Sequence, residues 1–115
     1  MTVFHPLTDT AGLDRAVARS YDAPVLLFKH SAACGISHAV RRRLEALTAP
    51  DDPPVYEVVV QHTPGLSQEI ARRFGVRHAS PQVLLLWRGE AVYDASHSRI
   101  HAEAVRAALP RSTSR

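Results

Sequence analysis

Cysteine is nearly absent from this chain: Cys34 stands alone in 115 residues. That excludes an internal disulfide, an internal dithiol pair and a zinc site built on several thiolates. Lysine is equally scarce, with Lys29 set against thirteen arginines. Aromatic residues make up 6% of the chain, too few for a platform that stacks single-stranded nucleic acid. No apolar run approaches the ~20 residues needed to cross a bilayer, so no membrane segment is expected. The opening residues Met1 to Pro6 lack a basic stretch followed by a long apolar one. They predict no signal peptide and a cytoplasmic location.

What remains describes a globular domain. Apolar residues are 45% and charged residues 22% of the sequence, close to globular averages. A chain of this length buries roughly two-thirds of its unfolded surface and needs no covalent staple. One domain is expected over residues 1–109, followed by a flexible tail at 110–115. The net charge of +3 is mild, and its arginines suit small anions better than nucleic acid. The run Arg41-Arg42-Arg43 spreads around a helix, so only part of it faces any one side.

Strand-like and helix-like stretches alternate. Thr10 to Ser20 reads as a helix capped by Thr10, with Leu13, Ala16 and Val17 inward. Pro24 to Phe28 is a short apolar run suited to a strand buried on both faces. A loop of small and polar residues leads into a helix over Ile36 to Leu47, with Ile36, Val40, Leu44 and Leu47 on one side. Val55 to Val60 reads as a strand, and Leu66 to Phe74 as a helix closed by Gly75. Gln82 to Trp87 and Ala91 to Ala95 form a hairpin around Arg88-Gly89-Glu90. Ser98 to Leu109 is the last helix, and a short first strand is expected near Val3-Phe4. This order predicts an α/β fold with a mixed central sheet flanked by helices on both faces.

Cys34 falls between a buried strand and a helix. The first turn of a helix carries unpaired N–H groups and the positive end of its dipole, which favour a thiolate. Lys29 and His30 stand just upstream, where they would add positive charge. Gly35 leaves the sulfur uncrowded, and Ser37 is spaced to offer it a hydroxyl. Arg41 is two turns along. The plainer reading of a single cysteine is a small buried apolar residue, but the junction favours a reactive thiol. Ser80-Pro81 precedes the third strand. A proline there is either an ordinary strand start or, less commonly, a cis peptide.

Several separated motifs resemble one family: Phe28-Lys29-His30-Ser31, Cys34-Gly35-Ile36-Ser37, Phe74-Gly75-Val76-Arg77-His78, Ser80-Pro81-Gln82-Val83 and Ala95-Ser96-His97. In order, and over about Leu7 to Leu109, they are similar to the monothiol bacilliredoxin-like proteins of the bacillithiol system (the YtxJ type), within the thioredoxin-like superfamily. The resemblance implies a thioredoxin-like fold, Cys34 as the catalytic thiol, and a cis Ser80-Pro81 bond facing it. Those proteins usually carry proline after the cysteine, where this chain has Gly35. Ser37 takes the place of the second cysteine of a dithiol motif, so a thiol from outside must complete the cycle.

The implied activity is a thiol–disulfide oxidoreductase that removes bacillithiol from mixed disulfides on proteins. Bacillithiol is then a co-substrate and S-bacillithiolated proteins are the partners, with no bound cofactor and no metal. Its anionic malate part would suit Lys29, Arg41 and Arg77. The backbone of Ser80 would pair with an extended substrate. Ser96, His97 and Ser98, read as opening the last helix, either bind a carboxylate or simply cap that helix. His97 and His101 have helical spacing but no acidic partner in a known metal pattern.

Two other readings stand beside this one. Cys34-Gly35-Ile36-Ser37 also resembles the Cys-Gly-Phe-Ser motif of monothiol glutaredoxins, which share a [2Fe–2S] cluster between two protomers. This chain lacks the paired glycines that those proteins carry after the hairpin. The third reading is a thioredoxin-like binding module with an inert thiol.

Overall fold

The computed structural model describes residues 3–110. A five-stranded sheet runs through the middle in the order β1-β3-β2-β4-β5. Its strands are β1 (Phe4–Pro6), β2 (Val25–His30), β3 (Val55–Val59), β4 (Gln82–Trp87) and β5 (Glu90–Ser96). β1, β3 and β2 are parallel, as the intervening helices require, and the hairpin β4–β5 adds antiparallel strands. The helices are α1 (Thr10–Arg19), α2 (Gly35–Leu44), α3 (Pro64–Phe74) and α4 (Ala102–Ala108).

Strand alternation divides the core into two layers. Leu26 and Phe28 of β2 join Val83 and Leu85 of β4 beneath Val40 and Leu44 of α2 and Val105 of α4. Val25 and Leu27 point the other way, with Leu84 and Leu86, toward Leu13 and Ala16 of α1 and Ile70 of α3. All six residues of β2 are buried, which explains why it reads as a continuous apolar run. Each fully buried leucine or phenylalanine contributes about 1.5–3 kcal/mol from apolar transfer.

Several expectations need correction. The cap of α1 is Asp9, whose Oδ1 accepts from Gly12 N–H at 2.8 Å, because Asp9 is extended while Thr10 is already helical. The helix expected over 36–47 spans 35–44. Leu47 stays in the core through a tighter turn, its N–H donating to Leu44 O at 3.0 Å. The first strand begins at Phe4 rather than Val3, and α3 begins two residues early, at Pro64, where proline fits the first turn. The segment read as one last helix is broken: His97–Arg99 forms a 3₁₀ turn and α4 starts at Ala102. Ile100 and His101 have extended backbone, and Arg43 of α2 takes up carbonyls that the break leaves without helical partners. Its Nη1 donates to Ser98 O and Ile100 O at 3.1 and 3.0 Å. Most of the expected tail, 111–115, lies outside the described residues.

Candidate thiol site

Cys34 is the cap of α2 and is half-buried. Its backbone is extended (φ −115°, ψ 122°), and its side chain makes no capping hydrogen bond. Cys34 therefore stands at the positive end of the α2 dipole, where the first N–H groups have no helical acceptor. Gly35 is exposed, and a Cβ added there would meet nothing within 4 Å. Ile36, next along, is 52% exposed.

The loop before Cys34 is held by side chains. Ser37 Oγ accepts from Ser31 N–H at 2.9 Å. Gln61 Oε1 accepts from Ala32 N–H at 3.1 Å, and its Nε2 donates to Ser31 Oγ at 2.9 Å. His38 Nε2 lies 2.8 Å from Ala32 O, and Cys34 N–H donates to Ser31 O at 3.3 Å. Backbone polar groups that regular structure leaves unpaired are thus satisfied around the thiol. Gln61 and His38 were missed in the sequence, since neither has a local signal. Gln61 is brought in from the β3–α3 connection, at the end of the strand beside β2.

The residues expected to support the thiolate separate. His30 faces the α2 layer, is 6% exposed, and its Nδ1 lies 2.7 Å from Ser37 Oγ. Burial pushes its pKa down, Glu57 pulls it up, and His38 and Arg41 lower it further. Ser37 was expected to offer its hydroxyl to the sulfur; instead that oxygen is shared by His30 and Ser31. Lys29 corrects the sequence reading more sharply. It faces the α1/α3 layer, opposite Val58 and Gln82 in register, and is wholly buried. Its Nζ bonds His78 Nδ1 at 3.2 Å rather than supplying charge to the layer of Cys34. Burial lowers its pKa to about 8.

The expected substrate contacts also divide. The Ser80–Pro81 bond is cis, with Pro81 buried and Ser80 half-buried. Arg41 is committed to Glu57, with bonds of 2.7 and 3.3 Å, and its guanidinium lies 4.2 Å over the Phe4 ring. Arg77 is exposed, and its side chain has no hydrogen bond or ion pair among the described residues. Ser96, His97 and Ser98 do not open α4. They line a surface cavity of about 470 Å³ with Asp94 and Arg99. His97 N–H donates to Pro81 O at 2.9 Å, which joins this cavity to the cis-proline turn, and His97 itself has φ 57°. Gln82, also missed, ties Arg77 O at 2.8 Å from beneath.

This sheet, with its helix-capping cysteine and cis-proline turn, has the thioredoxin fold. A solved protein described as having that fold is 26% identical, with a TM-score of 0.84 over 92% of this chain and 93% of its own. The thioredoxin of Malassezia sympodialis is 17% identical, with a TM-score of 0.73 over 94% of this chain and 89% of its own. That of Fasciola hepatica is 18% identical, with a TM-score of 0.70 over 90% and 94%. The class is therefore that of thioredoxin-like thiol oxidoreductases. Within it, residues 5–105 match the family Monothiol bacilliredoxin BrxC, and the chain belongs to that family. No helix among the described residues is long and apolar enough to cross a membrane.

Proposed function

We propose that this chain removes bacillithiol from mixed disulfides on proteins, with Cys34 as the exchanging thiol. The observation that carries the proposal is the family match over 5–105, which contains one cysteine, placed at the cap of α2. The Cys34 thiolate attacks the bacillithiol sulfur of the mixed disulfide. That bond breaks, the protein thiolate leaves, and bacillithiol is carried on Cys34. The thiolate of a second bacillithiol then attacks the same sulfur, releasing bacillithiol disulfide and restoring Cys34. Both steps are thiolate–disulfide exchanges with no net redox change beyond the disulfide transferred. Ser37, at the place of a second cysteine, is a buried hydroxyl already bonded to His30 and Ser31, so the second thiol comes from solution.

In this reading Arg77 offers a free guanidinium to the malate carboxylates, and the cavity beside Ser96 and His97 receives the rest of the small thiol. Ser80, exposed in part beside Pro81, presents its backbone to the protein substrate.

The test is intact mass after mixing with a model protein that bears a bacillithiol mixed disulfide. A Cys34→Ser control and a glutathione-modified substrate run alongside. Transfer of the bacillithiol mass to wild type, absent from the control and weaker with glutathione, is the expected result. No transfer to a Cys34 that still alkylates readily overturns the bacillithiol assignment.

A further inference from the structure

One rung of the sheet breaks the pattern around it. On the α1/α3 face the inward residues of β2, β3 and β4 are apolar: Val25, Leu27, Val58, Leu84 and Leu86. The pattern stops at one rung. Lys29 of β2 stands opposite Gln82 of β4, which stands opposite Ser96 of β5, so their side chains share this face. Lys29 and Gln82 are 0% and 2% exposed. An ammonium is costly to bury without a carboxylate, and no carboxylate among the described residues pairs with Lys29.

The bonds of this rung converge on one loop. Lys29 Nζ bonds His78 Nδ1 at 3.2 Å, and Gln82 Nε2 donates to Arg77 O at 2.8 Å. Gln82 Nε2 also lies 3.3 Å from Ser96 Oγ, and the next residue, His97, donates its N–H to Pro81 O at 2.9 Å. The loop from Arg77 to Pro81 is thus held from the strand ends beneath it. An ammonium has donors only, so His78 Nδ1 is the acceptor and the His78 hydrogen sits on Nε2. A proton on Nδ1 would set two donors and two positive charges face to face. A charged His78 therefore has to leave Lys29.

We propose that Lys29 is a positioning residue for the Ser80–Pro81 turn, acting through His78 while His78 is uncharged. Lys29 is wholly buried and His78 only in part, so His78 is the group that turns to water when it takes up a proton. Burial lowers the His78 pKa, and Lys29 lowers it further. Lys29 itself is lowered by burial to about 8, so it is charged wherever His78 titrates. Lys29 is the charged group that faces His78; the neighbouring cation, Arg77, is exposed. The packed elements bring apolar residues to this face: Leu13 and Ala16 from α1, Leu66 and Ile70 from α3, and Val58 from β3. The consequence for exchange rests on the reading that Ser80 presents its backbone to the protein substrate.

Histidine NMR, amide exchange and steady-state kinetics test this together. In wild type the His78 hydrogen is expected on Nε2. The His97 amide reports on Pro81 O, and its protection is expected to fall roughly fivefold as pH drops through the His78 midpoint, the loss of one hydrogen bond. In Lys29→Met that midpoint should rise by about one pH unit, or tenfold in proton affinity, and the protection should be low at every pH. His78→Phe should give the same low, flat protection with Lys29 in place. Lys29→Met should also raise KM for a bacillithiolated protein by roughly three- to tenfold, with kcat and the alkylation rate of Cys34 unchanged. A merely structural role would move stability and leave KM and kcat alone. A wild-type His78 hydrogen on Nδ1, or His97 protection that ignores the His78 midpoint, overturns the proposal whether or not the variants fold. So does an unchanged KM in Lys29→Met where wild type transfers bacillithiol. No transfer by wild type, with the linkage of His78 to His97 protection intact, supports the anchoring by Lys29 and refutes the bacillithiol assignment alone.

Discussion

Lys29 Nζ lies 3.2 Å from His78 Nδ1, and this bond ties the end of β2 to the loop that leads into Ser80–Pro81. An ammonium has three N–H donors, and His78 takes one of them. Gln82, opposite Lys29 in register, holds Arg77 O with its amide nitrogen, while its Oε1 is buried without a partner. The cis-proline turn is therefore anchored from below by two polar side chains that emerge from the sheet floor.

That anchor has a pH signature. Burial lowers Lys29 from 10.5 to about 8. Between those values the unfolded chain holds a proton that the folded chain has shed, so stability rises with pH across the window. Below about pH 8 the folded protein bears the full cost of a buried ammonium, on the order of 3 kcal/mol. Lys29→Met keeps the volume and removes the charge. We expect it to be more stable at neutral pH by about 1–3 kcal/mol. Its stability should no longer climb between about 8 and 10.5. Urea denaturation across that range decides it: an unchanged climb in the variant means Lys29 is not its source.

Gln61 offers a test of loop ordering. Its two bonds hold Ser31 and Ala32 from the end of the neighbouring strand, yet it is exposed. Gln61→Ala should change global stability by less than about 1 kcal/mol, the worth of a solvent-exposed hydrogen bond. Amide exchange at Ala32 should quicken by up to roughly fivefold, since a donor held at up to about 1 kcal/mol is released. Exchange at Ala32 that matches wild type would show that His38 and Ser37 hold the loop alone.

The fold was legible because its buried strands are short apolar runs between breakers, and Cys34 was legible because a junction residue is marked by its neighbours. The surroundings of the thiol were not. A strand places consecutive residues on opposite faces, so Lys29 and His30, adjacent in sequence, serve different layers. Sequence proximity to Cys34 therefore credited Lys29 with a charge it spends on His78. The break at Ile100 has no local mark, and Arg43, which bonds the carbonyl there, is 57 residues away. Apolar spacing continues across the break as if the helix did.

Gly35→Pro should be accommodated and stabilising. Gly35 is the first residue of α2, where the backbone N–H has no helical acceptor to lose. Cys34 already has the extended backbone that proline demands of the residue before it. A side chain at 35 meets nothing within 4 Å. The gain should be about 0.5–1 kcal/mol, from the narrowed unfolded ensemble. Thermal denaturation of the two proteins measures it, and a loss of stability would mean that the start of α2 is not as open as it stands here.

Arg77 and Arg41 should separate binding from folding. Arg41 is forked on Glu57, whose side chain is 12% exposed, so Arg41→Ala strands a nearly buried carboxylate. We expect a stability loss of about 1–3 kcal/mol and little change in KM for bacillithiol. Arg77 has no partner to lose among the described residues. Arg77→Ala should leave denaturation unchanged and raise that KM by roughly three- to tenfold, as for one exposed charge pair of up to about 1 kcal/mol or slightly more. The effect should shrink as salt is added, because an exposed pair is screened. Steady-state exchange at two ionic strengths reads both quantities. If Arg41→Ala instead raises KM while the protein stays as stable as wild type, the anionic end of the small thiol is held by Arg41, and the fork to Glu57 opens on binding.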